Sequence, residues 1–383
     1  MKQQHTSRGM GIALLLLAAL TRLACDNGTA PTVSGPIDTV AWTYETGGEV
    51  FSSPLVVDDV LYGISAGDCI SLQVQSGQLR WRYMATITQA YGSPVSCGAF
   101  LYYAGRMGDD ALFAVDRNTF APRWDFPLGG WVTSTPACDG KTIFVGSLDS
   151  TLYAVDAVGG VERWRFKTGD RIMNPPRVHE DYVFVSGEDG VLYALTSTGT
   201  IRWHREFGAA LYLSSVQDGF LYAGDDNGLL HAIDIASGTV SWEYKAGDGI
   251  ATRPAVSRSA VFVTSKDSCL HAVQRSSGTL SWKYHTGGRI YSSPILDGKR
   301  VYFGSNDGVL YALDAATGAE AWKFAARGWI YSAPVVTADR LYFGTTSGTY
   351  YALNRAALEE NENGVKRALH AVNDLQADEL ISR

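Results

Sequence analysis

The chain has 383 residues and a formal net charge of −7, with 41 glycines, 20 tyrosines and 10 tryptophans but only 19% charged residues. An acidic balance excludes a nucleic-acid partner, which needs a basic footprint. Many glycines and aromatics with little charge favour one large, turn-rich β domain over a set of helical ones.

Residues 1–25 read as an export signal. Lys2 and Arg8 supply its positive start, and Ile12 to Leu20 is an apolar run too short to cross a membrane. The segment closes on LTRLAC, which resembles a bacterial lipoprotein box with Cys25 as the lipidated residue. Arg22 departs from that pattern, and ordinary cleavage nearby is the alternative. Either route puts the mature chain outside the cytoplasm, and lipidation would make it a periplasmic, membrane-anchored lipoprotein. Residues 26–39, DNGTAPTVSGPIDT, would then be a flexible tether.

From residue 40 the sequence repeats. Trp42, Trp81, Trp124, Trp164, Trp203, Trp242, Trp282 and Trp322 follow one another at intervals of 39 to 43 residues, so one unit recurs eight times. Within the unit ending at Phe324, IYSSPIL, RVYFGS, VLYALD and AWKF alternate with turn signals such as DGK, NDG and AATGAE. This is a four-stranded antiparallel meander. Such a sheet has two apolar faces and must stack against neighbours, and a closed ring achieves this with few exposed edges. The expected fold is all-β, an eight-bladed β-propeller over residues 40–354. The strand VAWTYE at 40–45 precedes the first inner strand, and no Trp strand follows TYYALN at 349–354. The N-terminal strand should therefore complete the eighth blade.

In ALDAATGAEAW, Asp314 can accept turn N–H groups, Gly318 can supply positive φ and Trp322 can lie between blades. The spacing resembles the tryptophan-docking motif of the PQQ-repeat propeller family. The motif is a structural joint, and its Asp position drifts to Gln73, Thr196, Gln274 and Asn354, which are unequal as acids.

Residues that recur hold the scaffold, so a binding site should lie where the units differ. Five residues before each inner-strand proline stand Glu49, Gln89, Trp131, Arg171, Gly249, Arg289 and Trp329, with Leu211 in the fifth unit, where Val216 replaces the proline. This is the rim of the mouth. Around the ring, Arg289, Trp329, Glu49, Gln89, Trp131 and Arg171 form a polar and aromatic arc, while Leu211 and Gly249 leave the remaining wall bare. Such an arc suits a peptide segment or a small planar ligand bearing carbonyl or anionic groups. Tyr91, Tyr291 and Tyr331 should line the channel below or face the blades. Ser134, Thr135, Ser292 and Ser293 should satisfy inner-strand backbone.

His231 and His271 occupy the third-strand slot held by Tyr311 and read as half-buried packing residues, not catalytic ones. The carboxylates in DDNG at 225–228, EDG at 188–190 and NDG at 306–308 read as hairpin residues first and calcium ligands second. No CxxC or metal spacing occurs, so no metal is assigned. Cys97 and Cys138, near equivalent turns of adjacent units, are the one cysteine pair to consider for a disulfide, although their repeat positions differ by one. Cys69 and Cys269 should be buried thiols. Beyond the ring, 355–383 is a helical tail with Val365, Leu369, Val372 and Leu375 at helical spacing.

Two branches of the PQQ-repeat family bear on function. The quinoprotein alcohol dehydrogenases carry an adjacent Cys–Cys pair and extra length that this chain lacks, so the resemblance implies no quinone cofactor and no enzyme. The propeller lipoproteins of the outer-membrane barrel-assembly machinery are more similar. That resemblance implies a non-catalytic extracytoplasmic scaffold that recruits a protein or peptide through its mouth and loops. A small-molecule binder at the Arg- and Trp-lined mouth is the alternative, and a quinone-dependent oxidoreductase a third reading.

Overall fold

The computed structural model describes residues 39–66, 68–84, 92–107 and 109–363. Eight four-stranded antiparallel sheets follow one another along the chain. Seven are built from consecutive strands. The eighth joins Val335–Val336, Arg340–Gly344 and Thr349–Asn354 to the N-terminal strand Val40–Glu45. Thr43 there pairs with Tyr351 and Glu45 with Thr349. The ring is thus closed by hydrogen bonds between the two ends of the repeat region, with the strand limits the repeat predicts. Blades are numbered here by their innermost strands, from Leu55–Val57 in blade one to Val335–Val336 in blade eight.

Each neighbouring pair of blades shares one apolar core. Tyr102, Leu112, Ile143 and Val155 meet between blades two and three, and Tyr302, Phe343, Tyr351 and Leu353 between seven and eight. Leu61, Ile70, Tyr342 and Tyr350 seal the closing joint between eight and one. The second and third strands of each blade are buried on both faces, which is why they read as continuous apolar runs.

The tryptophan joint is staggered by one blade. Gly318, at φ 74°, faces Trp282 of the preceding blade, and Gly160, Gly199, Gly238 and Gly278 face Trp124, Trp164, Trp203 and Trp242 in the same way. Trp42, Trp164, Trp203 and Trp242 each donate their indole N–H to a carbonyl of the next blade's turn at 2.8 Å. In blade two Phe120 replaces the glycine, keeps its positive φ of 58° and stacks on Trp81 at 4.8 Å. Trp124 departs from the pattern: Tyr102 occupies the Ala157 carbonyl, and the indole N–H has no partner. Only Trp42 is fully buried, the other joint tryptophans keeping one edge in solvent.

The docking aspartates behave as turn acceptors. Asp314 Oδ1 takes N–H bonds from Ala316 and Thr317, and Asp156, Asp234 and Asp116 do the same in their turns. Burial works to raise the Asp314 carboxyl, yet the Thr317 hydrogen bonds hold it below the ordinary range, as the Arg163 guanidinium does for Asp156.

Blade eight has no docking turn. The helix Arg355–Asn363 stands in its place, and Leu358 is buried in the cluster that holds Trp322. The tail positions Val365, Leu369, Val372 and Leu375 lie outside the described residues.

Cys97 and Cys138 end the innermost strands of blades two and three, 6.3 Å apart at Cα, and are joined in a disulfide. The one-residue difference in their repeat positions is absorbed by the shorter inner strand of blade three. Cys69 and Cys269 are buried free thiols, as expected.

Candidate binding site at the propeller mouth

The rim position is pinned by its backbone and not by its side chain. The carbonyls of Glu49, Trp131, Arg171, Gly249, Arg289 and Trp329 accept N–H bonds of 2.8–3.2 Å from Ala66, Leu148, Glu188, Lys266, Asn306 and Thr346, each in the second-to-third-strand turn of the same blade. The scaffold therefore sets no demand on the side chain there. Glu49, Arg171 and Arg289 are exposed, and Trp131 and Trp329 are 50% and 53% exposed. Gln89, Tyr91 and Cys25 lie outside the described residues.

On blades seven, eight and one the rim continues into an aromatic strip. Tyr291 and Tyr331 stack at 5.2 Å, Phe51 meets the Tyr331 edge at 5.5 Å, and Trp329 lies 6.2 Å from Tyr331. The Asn306 amide donates to the Tyr331 hydroxyl at 3.3 Å, leaving its own carbonyl oxygen without a partner. Phe51 sits at the repeat position of Tyr291 and Tyr331, a signal legible in the sequence once all eight units are aligned.

Blade five corrects the expected register. Leu211 is wholly buried and donates its N–H to the Ser186 hydroxyl oxygen, where the buried Ile172 donates to the Ser147 carbonyl of its preceding blade. Leu211 thus takes the isoleucine slot and not the rim slot, and the small, buried Ala210 stands at the rim. The cause is an innermost strand, Leu211–Gln217, that lacks a proline and carries an irregularity between Leu213 and Val216. Tyr212 consequently falls where Met173 and Tyr291 stand in their blades. Burial pushes its hydroxyl far above the ordinary range, and the charges of Asp226 and Glu188 add to this.

The wall expected to be bare is instead charged. Lys266 pairs with Asp226 at 2.6 Å, and Glu188 is pushed up by burial and by Asp226, with Arg171 opposing. These residues belong to the turns that bind the rim carbonyls. They escape a reading that takes Asp and Asn in such turns as hairpin residues alone.

The remaining polar groups serve the scaffold. Ser134 donates to the Gly146 carbonyl and Ser292 to that of Ser332, while Thr135 and Ser293 accept N–H bonds from Ser93 and Arg253 of neighbouring blades. Asp189 and Asp307 accept from turn N–H groups and from the Tyr193 and Tyr311 hydroxyls. His231 and His271 are the histidine versions of this staple and are fully buried, not half-buried. His231 lies between Asp225 at 3.3 Å and Glu243 at 2.9 Å, and His271 between Asp267 at 3.0 Å and Tyr244 at 2.9 Å. Asp267, Cys269 and His271 place ligand-type atoms within 4.8 Å of one another. Asp267 already accepts from Gly247 and Cys269 N–H as well as His271, and burial pushes the Cys269 thiol up, which keeps it a poor metal ligand.

A groove of about 680 Å³ lies elsewhere, between Trp242 and Trp282 and beside Arg258 and Arg275. It follows the joint between docking turns, where the repeat itself leaves a furrow.

Overlapping matches to the profile of the family described as outer membrane protein assembly factor BamB cover residues 108–215, 203–292 and 272–361. No curated protein matches the chain in sequence. Among solved structures, BamB from Moraxella catarrhalis is similar with a TM-score of 0.71 at 20% identity, covering 82% of this chain and 99% of that one. The computationally designed Ika8 protein is similar at 0.74 and 13% identity, with the same coverage. Quinohemoprotein alcohol dehydrogenase ADHIIG from Pseudomonas putida is similar at 0.70 and 15% identity, over 82% of this chain and 76% of that one. These likenesses are of fold, shared by a BamB, a designed protein and an alcohol dehydrogenase. The profile matches run through more than half of the sequence, and the chain belongs to the outer membrane protein assembly factor BamB family.

Proposed function

We propose that this protein is a non-catalytic scaffold of the cell envelope, anchored by a lipid on Cys25, that recruits a protein or peptide partner in outer-membrane protein assembly through its propeller mouth. The observation that carries this reading is the contiguous strip of Trp329, Tyr331, Tyr291 and Phe51, with Trp131 exposed across the ring. Aromatic residues flanked by arginines on a rigid rim are the composition of energetic centres in protein interfaces. The disulfide between Cys97 and Cys138 supports an oxidising compartment. A small-molecule binder at the same Arg- and Trp-lined mouth is the second reading, favoured by the stacked Tyr291 and Tyr331 pair, which could sandwich a planar ligand's edge.

The test is site-specific photo-crosslinking in intact envelopes, with the reactive residue at 329, at 131 or at 163 on an outer strand. The scaffold reading expects discrete protein adducts from the two rim positions and none from the flank. Equal labelling at all three, or none, would end it. Reconstitution with pyrroloquinoline quinone addresses the enzymatic reading separately: a quinone absorption band with dye reduction by alcohols would replace the scaffold by an oxidoreductase.

A further inference from the structure

Below the rim, the position before each inner-strand proline carries Ser53, Ser93, Thr135, Arg253, Ser293 and Ala333 in blades one, two, three, six, seven and eight. The hydroxyls among these point at the preceding blade. Ala333 N–H donates to Ser53, Ser53 N–H to Ser93, Ser93 N–H to Thr135, and Arg253 N–H to Ser293, all at 2.9–3.1 Å. A hydroxyl ring thus stitches blade to blade around the channel. It is broken between blades seven and eight, where Ala333 has no hydroxyl, and over a longer stretch at blades four and five, where Pro175 has no N–H to give and blade five lacks the proline altogether.

Two arginines flank the break at blade five. Arg253 holds the slot before Pro254 that Ser53, Ser93, Thr135 and Ser293 hold in their blades, and its charge bears on Arg177 of blade four. Arg177 begins the innermost strand of blade four and donates its Nε–H forward to the Leu213 carbonyl of blade five at 3.0 Å. Both are half-buried, and among the described residues neither has a carboxylate partner, whereas the half-buried Arg275, Arg117 and Arg300 pair with Asp218, Asp58 and Asp314. Ser215 is exposed on the same short stretch of blade five.

We propose that Arg177 and Arg253, converging from blades four and six on the inner edge of blade five, form a binding site for an oxyanion in the central channel, a carboxylate or phosphate group of a small ligand. Enclosed guanidiniums are costly unless paired. Burial holds Arg177 well below its usual range and the like charge of Arg253 adds to this, while burial alone lowers Arg253. An anion between them would remove both penalties. The planar forks of two arginines match carboxylate and phosphate oxygens. The overall charge of −7 makes this a local exception in an acidic protein, so bulk attraction of anions does not account for it.

Isothermal titration of citrate and, separately, of inorganic phosphate into the full chain tests the site at low and fixed ionic strength. The expected result is saturable one-site binding of at least one probe, weakened tenfold or more by Arg177→Met or Arg253→Met and unchanged by the outer-strand substitutions Arg163→Gln and Arg202→Gln. Which probe binds tells a carboxylate from a phosphate site. A second readout needs no ligand: in anion-poor buffer Arg253→Gln should raise the melting temperature, because it removes an unpaired enclosed charge, and citrate or phosphate should raise that of the wild type more than that of the variant. No saturable binding of either probe, or binding indifferent to both channel substitutions, overturns the proposal. A melting temperature lowered by Arg253→Gln in anion-poor buffer also counts against it.

Discussion

Gly318 meets the Trp282 ring so closely that a methyl group on its Cα would lie 2.6 Å from the indole. Two demands coincide there, a positive φ of 74° and the absence of a side chain. Gly298 separates them: its φ is 57°, but nothing lies within 4 Å of the place a methyl would take. Gly298→Ala should cost about 1 kcal/mol through backbone strain alone. Gly318→Ala adds the steric conflict and should cost roughly 2–4 kcal/mol. Urea unfolding of the two variants checks the difference, and equal losses would mean that the indole does not press on the turn.

The pair of half-buried Asp267 and buried His271 makes a prediction about acid. Burial works to raise the Asp267 carboxyl, but the hydrogen bond and charge of His271 outweigh it and lower the value to about 2. In the unfolded chain the same group takes up its proton near 4. Between these values the unfolded state binds more protons, so stability present at neutral pH is lost as pH falls from about 4 to 2. The contribution is on the order of 2 kcal/mol. Asp267→Asn should flatten the acid limb of stability against pH by about 1 kcal/mol between pH 6 and pH 3, the part of that contribution lost by pH 3, read from denaturant midpoints at the two values.

The sequence carries the ring because each unit repeats the same buried periodicity, and eight joint tryptophans fix the count before any contact is known. The closing strand is legible for the same reason: one outer strand is surplus at the start and one is missing at the end. Local departures are harder. Blade five is misaligned when Val216 is taken for a proline, because the irregularity after Leu213 shows only in the hydrogen bonds. Glu188, Asp226 and Lys266 sit in turns whose residue types a hairpin would choose anyway. The His271 staple is visible in principle, since Asp267 precedes it by the spacing that links Asp307 to Tyr311 and Asp189 to Tyr193. The disulfide depends on how far two inner strands approach, which spacing along the chain does not report.

That disulfide ties blade two to blade three across 41 residues. Constraining a loop of this size in the unfolded chain should stabilise the fold by about 2–4 kcal/mol. The Cys97→Ser, Cys138→Ser double variant should lose that amount in urea unfolding, and a reductant should destabilise the wild type by the same margin while leaving the variant unchanged. A reductant effect that persists in the double variant would place the linkage elsewhere.

Trp282 and Trp329 separate scaffold from surface. Trp282 is half-buried against the Gly318 turn and 5.8 Å from Phe262, so Trp282→Ala removes a joint between two blades and should cost about 3–5 kcal/mol. Trp329 is 53% exposed, and its backbone N–H and C=O, held by Thr346, do not depend on the indole. Trp329→Ala should therefore change stability by less than about 0.5 kcal/mol. Under the scaffold reading it should also abolish the adducts formed from a photo-reactive residue at 131, because both rim tryptophans would contact one partner across the mouth. Denaturation and crosslinking of the same two variants should thus give opposite rankings. If Trp329→Ala unfolds the ring, or leaves crosslinking from 131 untouched, the rim tryptophans do not act together on a partner.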